Sequence, residues 1–392
     1  FGPNGRTKVL AVMGYYDRGS DTPLEEANTR EGYLAIQHDF SKKSNFLFQA
    51  EYMTKTQEAG GTSAPLILTD NGTTTNTDDK IVGIAKGLDG LQQRGPFSYL
   101  TRNIKSFTGT YTNRLTQNLN FRVSGNYYHA ENENFNQNVT TGQVNPRTLV
   151  MTRGATPEYG AIFEDGGGVQ ADLLGTYFIG KVENRTLFTL EFNDYYRDDP
   201  AAQIGGAQLA GWTPIRSFRV LPDLSGPDGE IPYLNSDLDL STAILRRDNK
   251  NRNSIWGTLV RHQASFWNSR LMLFGGARLD YVIYRLRDRQ NNRQNRFTFT
   301  EVTPNLGASF KVVPGWHAFV NYSEGFFPNT QSITAAQVAS NYDSERAQGL
   351  EYGFKGAFME ERLTFTLNAY RIERQNVRVD DIDPVTGLQV VN

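Results

Sequence analysis

Cysteine is absent from the 392 residues, which excludes disulfides, thiolate metal sites and a cysteine nucleophile. No apolar run approaches the roughly 20 residues that a membrane-spanning helix needs. Histidine is scarce: His38, His129, His262 and His317 are the four present, without metal-ligand spacing among them. Patterns of the G-x-S-x-G, H-E-x-x-H and phosphate-loop kinds are missing. With no catalytic constellation, neither enzymatic activity nor a cofactor nor a bound metal is expected. An excess of either charge is lacking too. Lys+Arg number 40 against Asp+Glu 42, for a net charge of -2 and a pI near 6.2, so no basic surface marks a nucleic-acid partner. No charged start followed by an apolar segment opens the chain, because Phe1-Gly-Pro-Asn-Gly5 reads as a turn. The chain is therefore expected to be mature material and part of something longer.

What is present is aromatic. Hydrophobic residues make up only 38%, yet Phe and Tyr number 24 and 19. Few aliphatics with many aromatics suits a barrel that is wet inside and ringed by aromatic girdles better than a packed core.

Alternation and turn residues predict about thirteen strands, at 7–18, 28–40, 45–56, 103–114, 119–131, 168–180, 185–198, 252–266, 270–286, 299–311, 316–326, 346–358 and 361–375. Most exceed the five or six residues typical of soluble strands and reach the roughly nine to eleven of a tilted membrane strand. Leu119, Phe121, Val123, Gly125 and Tyr127 share one face while Asn120, Arg122, Ser124 and Asn126 share the other. Phe188, Leu190 and Phe192 oppose Thr189, Glu191 and Asn193; Leu271, Leu273, Ala277 and Leu279 oppose Arg278 and Asp280. Facing lipid at mid-membrane, Arg122 would cost roughly 2–4 kcal/mol and Glu191 less, so both are expected to face a polar lumen. Leu47 and Phe274 break the pattern by falling on polar faces.

Connections also alternate. Short turns are predicted at 41–44, 115–118, 181–184, 266–269, 312–315 and 358–361, with longer loops at 57–102, 132–167, 199–251, 287–298 and 327–345. Short turns on one side and long loops on the other is the layout of an outer-membrane barrel. A soluble sandwich has no reason to sort loops by parity. On this parity the first and last strands both run outward. A closed barrel with both termini inside then needs an even number of strands before Thr7 and an odd number after Asn392. The fold class expected is all-β, a transmembrane antiparallel β-barrel in which residues 1–392 form part of the wall.

The stretches TPNLGASFKVVPGWHAFVNYSEGFFPN (303–329) and LEYGFKGAFMEERLTFTLNAYRIERQNV (350–377) resemble the TonB-dependent outer-membrane receptors, ferric-siderophore type. The motif positions are Pro304, Gly307, Tyr322, Ser323, Gly325, Phe326, Pro328, Glu351, Gly353, Lys355 and Asn376, with Asn305 departing from the arginine often found there. The resemblance implies a barrel of about 22 strands around a plug, of which roughly thirteen are here, about two lie before and about seven after. It implies a Gram-negative outer-membrane location, a monomeric receptor, a ferric siderophore as ligand, and TonB as the partner that supplies energy through the N-terminal plug. Cobalamin or oligosaccharide uptake, a passive porin-like channel and a surface adhesin remain as alternatives.

Any ligand-binding chemistry falls to the long loops. Arg153, Tyr159, Trp212, Arg216, Arg219 and Tyr233, with Phe135, Phe163 and Phe218 near them, combine guanidiniums for anionic oxygens with aromatics for flat chelating rings. A second group, Arg285, Arg287, Arg289, Arg293 and Arg296 with Arg246, Arg247, Lys250 and Arg252, would lie on the outer side as a patch for an anionic ligand or for lipopolysaccharide phosphates. Solvated loop charge is the plainer reading of that group. Asp70, Asp78 and Asp79 form a candidate site for a divalent cation. Gly166–Gly168 reads as a bend leading into a strand rather than a phosphate cradle.

Overall fold

The computed structural model describes residues 5–19, 26–58, 66–68, 80–88, 98–136, 143–152, 158–204, 217–231, 243–328, 343–358, 362–377, 380–382 and 389–391. Thirteen long strands form one sheet in strict chain order. They are β1 (Thr7–Gly19), β2 (Glu26–Asp39), β3 (Ser44–Glu58), β4 (Tyr99–Arg114), β5 (Leu119–Asn136), β6 (Glu158–Ile179) and β7 (Val182–Ile204). Then follow β8 (Ala243–Phe266), β9 (Leu271–Asp288), β10 (Arg293–Val313), β11 (Trp316–Phe327), β12 (Glu345–Phe358) and β13 (Leu363–Gln375). Every neighbouring pair is antiparallel.

The tight turns are built from residues that tolerate left-handed backbone. Trp267, Asn268 and Ser269 all have positive φ between β8 and β9, and Gly180 and Gly315 turn β6 into β7 and β10 into β11. At the β2–β3 turn the Ser41 hydroxyl accepts the backbone N–H of Lys43 and Ser44 at 3.0 and 3.1 Å. These turns sit where the sequence places them, within a residue or two. The opposite ends of the strands differ from expectation. β6, β7 and β8 run for 22, 23 and 24 residues, well past the stretch that lipid requires. The segment 285–296, expected to be a loop, is the tip of the β9–β10 hairpin, with only residues 289–292 turning. Gly166–Gly168 is strand interior within β6, not a bend. A Cβ at Gly166 would overlap the Tyr128 ring on the neighbouring strand. Its absence lets Tyr128 lie across β6 and stack on Tyr195, with ring centroids 6.3 Å apart.

Three of the long loops are joined. Short strands Leu66–Leu68, Ile81–Ile84, Gln143–Asn145, Val150–Thr152 and Ser217–Arg219 form a separate five-stranded sheet. It has its own core of Ala85, Leu88, Val144, Met151, Phe218 and Val220, with Val144 and Met151 fully buried. This small cap draws on three segments far apart in sequence and is the best-buried apolar cluster among the described residues.

Candidate functional site

Register fixes which side chains share a face, because directly paired residues point the same way. Leu119, Phe121 and Val123 pair with Gly175, Leu173 and Ala171, and on through Thr186, Phe188 and Leu190 to His262, Val260 and Thr258. This apolar face is exposed: Leu190, Leu279, Tyr352 and Leu367 are 48, 46, 55 and 60% accessible. At one end it finishes in an aromatic row, Phe192 opposite Trp256 opposite Tyr281, with the Phe192 and Trp256 rings 4.3 Å apart. At the other end stand Phe46, Tyr177 and Phe310. Two aromatic belts bounding an exposed apolar band match a lipid-facing wall.

The opposite face is polar and concave. A single recess of 1050 Å³ touches Asn45, Thr112, Arg122, Asp172, Glu191 and Arg278, which belong to six different strands. Arg122 stands directly opposite Asp172, which stands opposite Thr189. The Asp172 carboxylate accepts from Arg122 Nε at 2.7 Å, Thr189 Oγ1 at 2.7 Å and Gln170 Nε2 at 2.9 Å. In the same row, beyond Leu259, Arg278 reaches two residues toward the long-loop end, donating to Glu191 at 2.8 Å and from Nε to both oxygens of Asp280 at 2.9 Å. Gly257, paired with both Glu191 and Asp280, makes room for this guanidinium, since a Cβ there would press on Arg278. The two residues that broke the sequence pattern do lie inward. Phe274 packs over motif Gly307 and under the Arg261 guanidinium, 4.9 Å from its ring centre.

The sequence-derived candidates divide sharply. Arg153, Trp212, Arg216 and Tyr233 lie outside the described residues, as do Asp70, Asp78 and Asp79. Tyr159 sits on the outward face of β6 and donates to Glu133 at 2.9 Å. Arg219 is exposed on the cap, 3.8 Å from Asp228, whereas Phe218 beside it is buried in the cap core. Among the outer arginines, Arg246 binds Glu158 at 3.0 Å and Arg247 binds Asp199 at 2.8 Å. Arg289, in the β9–β10 turn, donates to Asp248 at 2.8 Å and Asp198 at 3.1 Å. Its hydrogen bond to Asp248, backed by Asp198, holds its guanidinium above the ordinary arginine value despite partial burial. Arg285, Arg287 and Arg296 remain exposed beside Lys250 and Arg252, around a recess of 560 Å³. Sequence reasoning placed Arg122, Glu191, Arg278 and Asp280 on polar faces but did not join them into a network, and Asp172 went unnamed. Its signal was present in the alternation, as carboxylates and arginines confined to one parity of neighbouring strands. Among the described residues no group of three metal-ligating side chains is placed to hold a metal ion.

A family model described as TonB dependent receptor-like, beta-barrel matches residues 28–392. The metal-pseudopaline receptor CntO of Pseudomonas aeruginosa is 25% identical over 213 residues, which is 54% of this chain and 28% of that protein. The ferric preacinetobactin receptor BauA of Acinetobacter baumannii superposes with a TM-score of 0.72 over 100% of this chain and 53% of its own, at 15% identity. The siderophore receptor PiuA of the same organism gives 0.74 over 98% and 55%, at 14% identity. The chain spans about half the length of these solved receptors and about a quarter of the curated relative. At such identities the structural likeness speaks for the fold; the family model, which reaches across nearly the whole chain, speaks for descent. An unbroken antiparallel wall, greasy and belted outside and charged within, thus belongs to the TonB-dependent receptor β-barrel family of outer-membrane transport receptors.

Proposed function

We propose that residues 1–392 form one barrel-wall domain of a receptor that binds a ferric siderophore, or a closely similar metal chelate, on its extracellular side. It imports that chelate with energy supplied by TonB. The observation that carries this reading is the cap. Three long loops are fastened into one sheet with a dry core at the long-loop end of a polar-lined wall. A passive channel gains nothing from fastening its long loops together, whereas a receptor needs a surface of fixed shape among them. Arg219 is exposed on that cap, Arg153 and Arg216 adjoin its strands in sequence, and Trp212 and Tyr233 lie farther along the segment that carries Ser217–Arg219, which supports them as ligand contacts. Tyr159, pointing outward and bonded to Glu133 on the neighbouring wall strand, has no such support. That CntO is a metal-pseudopaline receptor favours a metal-pseudopaline complex as a second reading of the cargo.

The test is uptake. A strain lacking the gene is grown under metal limitation with a panel of purified siderophores and metal-pseudopaline, with and without TonB. Growth rescue by one chelate that needs both the gene and TonB supports the proposal. Rescue that persists without TonB overturns it in favour of passive diffusion, and no rescue by any chelate points to another cargo.

A further inference from the structure

The ladder between β10 and β11 stops halfway. β9 pairs with β10 along its whole length, from Leu271 opposite Phe310 to Asp288 opposite Arg293. β11 pairs with β10 only as far as Ser323 opposite Asn305. Beyond that rung, among the described residues, 293–304 of β10 have a ladder partner on the β9 side alone. β11 runs on to Phe327 paired with β12. Residues of the family motif line the parting: Pro304, which has no N–H to give a ladder, with Tyr322, Ser323, Gly325, Phe326 and Pro328. Pro304 stands opposite Ala277, midway along the outward run of β9 from Leu271 to Ile283. At about 3.3 Å per residue and a tilt near 40°, that run crosses roughly 30 Å, the thickness of the hydrocarbon layer. The wall therefore parts near mid-membrane.

The parted ends overlap. Val282, Leu286, Phe297 and Phe299 share the inward face of β9 and β10 with Asp280 and Glu301, where water in the lumen should reach them, yet they are 2, 9, 2 and 9% exposed. Phe326 of β11 packs against them. Arg346 of β12, directly opposite Phe326, binds Glu301 on that same inward face and lies 3.9 Å from Glu324. By alternation, however, Phe326 and Arg346 belong to the outward face of their strands, with Tyr322, Leu350 and Tyr352. An outward face meets an inward one only where the outer ends of β11 and β12 pass on the lumen side of β9 and β10. The wall is lapped there, two layers around a dry core.

A lapped wall leaves the β10 edge open, and backbone N–H and C=O groups in hydrocarbon need partners. Continuing the existing register would supply them, with Thr303 opposite Gly325, Val302 opposite Phe326 and Glu301 opposite Phe327. Phe326 would then join Leu279 and Val302 in the outer apolar band, as its alternation specifies. The dry core would lose its cover, and Arg346 would leave Glu301. Each arrangement satisfies what the other leaves open, which is the condition for two discrete states. We propose that the outer ends of β11 and β12 form a switch in the wall with two seats, lapped as seen here and zipped onto β10. Phe326 and Arg346 are the pins of the lapped seat. Lapped, these ends overhang the lumen; zipped, they rejoin the wall and the mouth widens. The switch is a property of the wall and does not depend on which chelate is imported.

Residues 1–392 contain no cysteine, so engineered pairs report single rungs. In the intact receptor in outer membranes, Asn305→Cys/Ser323→Cys marks the last rung present and should close a disulfide readily under mild oxidation. Thr303→Cys/Gly325→Cys, where a Cβ at Gly325 meets nothing within 4 Å, comes face to face only in the zipped seat, with Cβ atoms about 4.5–5.5 Å apart. It should close about tenfold more slowly than the control rung, and adding Arg346→Gln or Phe326→Ala should speed it about threefold or more. Closure as fast as the control rung overturns the lapped seat. No closure even with a pin removed overturns the zipped one, and a rate that neither pin substitution changes overturns the pins. Amide exchange of the wild-type receptor keeps the test decisive if a variant fails to assemble. Residues 300–303 and 325–327 should exchange about tenfold faster than 306–309, which lie in the continuous ladder; equal protection overturns the proposal.

Discussion

Arg122 and Asp172 face each other across β5 and β6 at one rung of the ladder, joined by Arg122 Nε at 2.7 Å and Nη2 at 2.5 Å. Asp172 is 9% exposed in its side chain while Arg122 is half exposed. Removing the two partners should therefore have unequal effects. Arg122→Met leaves a mostly buried carboxylate with only Thr189 and Gln170, at a cost of about 1–3 kcal/mol. Asp172→Asn in the Arg122→Met background relieves that charge and should recover at least half of the loss. Urea unfolding of the intact receptor, followed by tryptophan emission, measures both; a double variant weaker than Arg122→Met alone would contradict the pairing.

Motif glycine Gly353 has a mechanical explanation. A Cβ there would run into the backbone carbonyl of Leu367 and the Asn368 Cα on β13, and backbone atoms cannot swing aside as a side chain does. Gly353→Ala should destabilise by about 1–3 kcal/mol through forced separation of β12 and β13. Gly325→Ala, in the same family motif but with nothing within 4 Å of its Cβ, should cost well under 1 kcal/mol. Comparable losses at the two positions would remove this explanation.

The cap predicts coupled behaviour of three loops. Met151 is fully buried at its centre, and truncation to Ala should cost about 2–5 kcal/mol of local stability. Because the core is shared, amide exchange should speed up together in Leu66–Leu68, Gln143–Asn145 and Ser217–Arg219. Acceleration confined to Val150–Thr152 would mean that the segments are independent.

How much of this was legible in the sequence follows from the range over which each feature is encoded. Strand count, tight turns and facing were readable because alternation and turn residues are local; Leu363, Phe365 and Leu367 against Thr364 and Thr366 need no partner to be recognised. The outer extensions of β6 to β10 were shortened because strand rising out of lipid into water keeps its hydrogen bonds but loses the apolar half of its alternation, as in 287–298. The cap was invisible because its strands are three or four residues long and pair across distant segments. One pair, Leu66–Leu68 with Gln143–Asn145, is parallel. The arginines of 285–296 were picked out as a group, but only the structure could separate Arg289, which binds Asp248 and Asp198, from the exposed Arg285 and Arg296.

The account rests on which face meets lipid, and one pair of variants in the intact receptor addresses it. Leu367 lies on the outward face of β13 and Thr366 on the inward face, one residue apart in the same strand. Leu367→Arg should cost roughly 2–4 kcal/mol near the membrane midplane and deplete the heat-modifiable, folded form from outer membranes. Thr366→Arg should assemble at close to wild-type level, its guanidinium entering the polar interior. Equal depletion by both, or a greater loss from Thr366→Arg, would contradict the assignment of the wall.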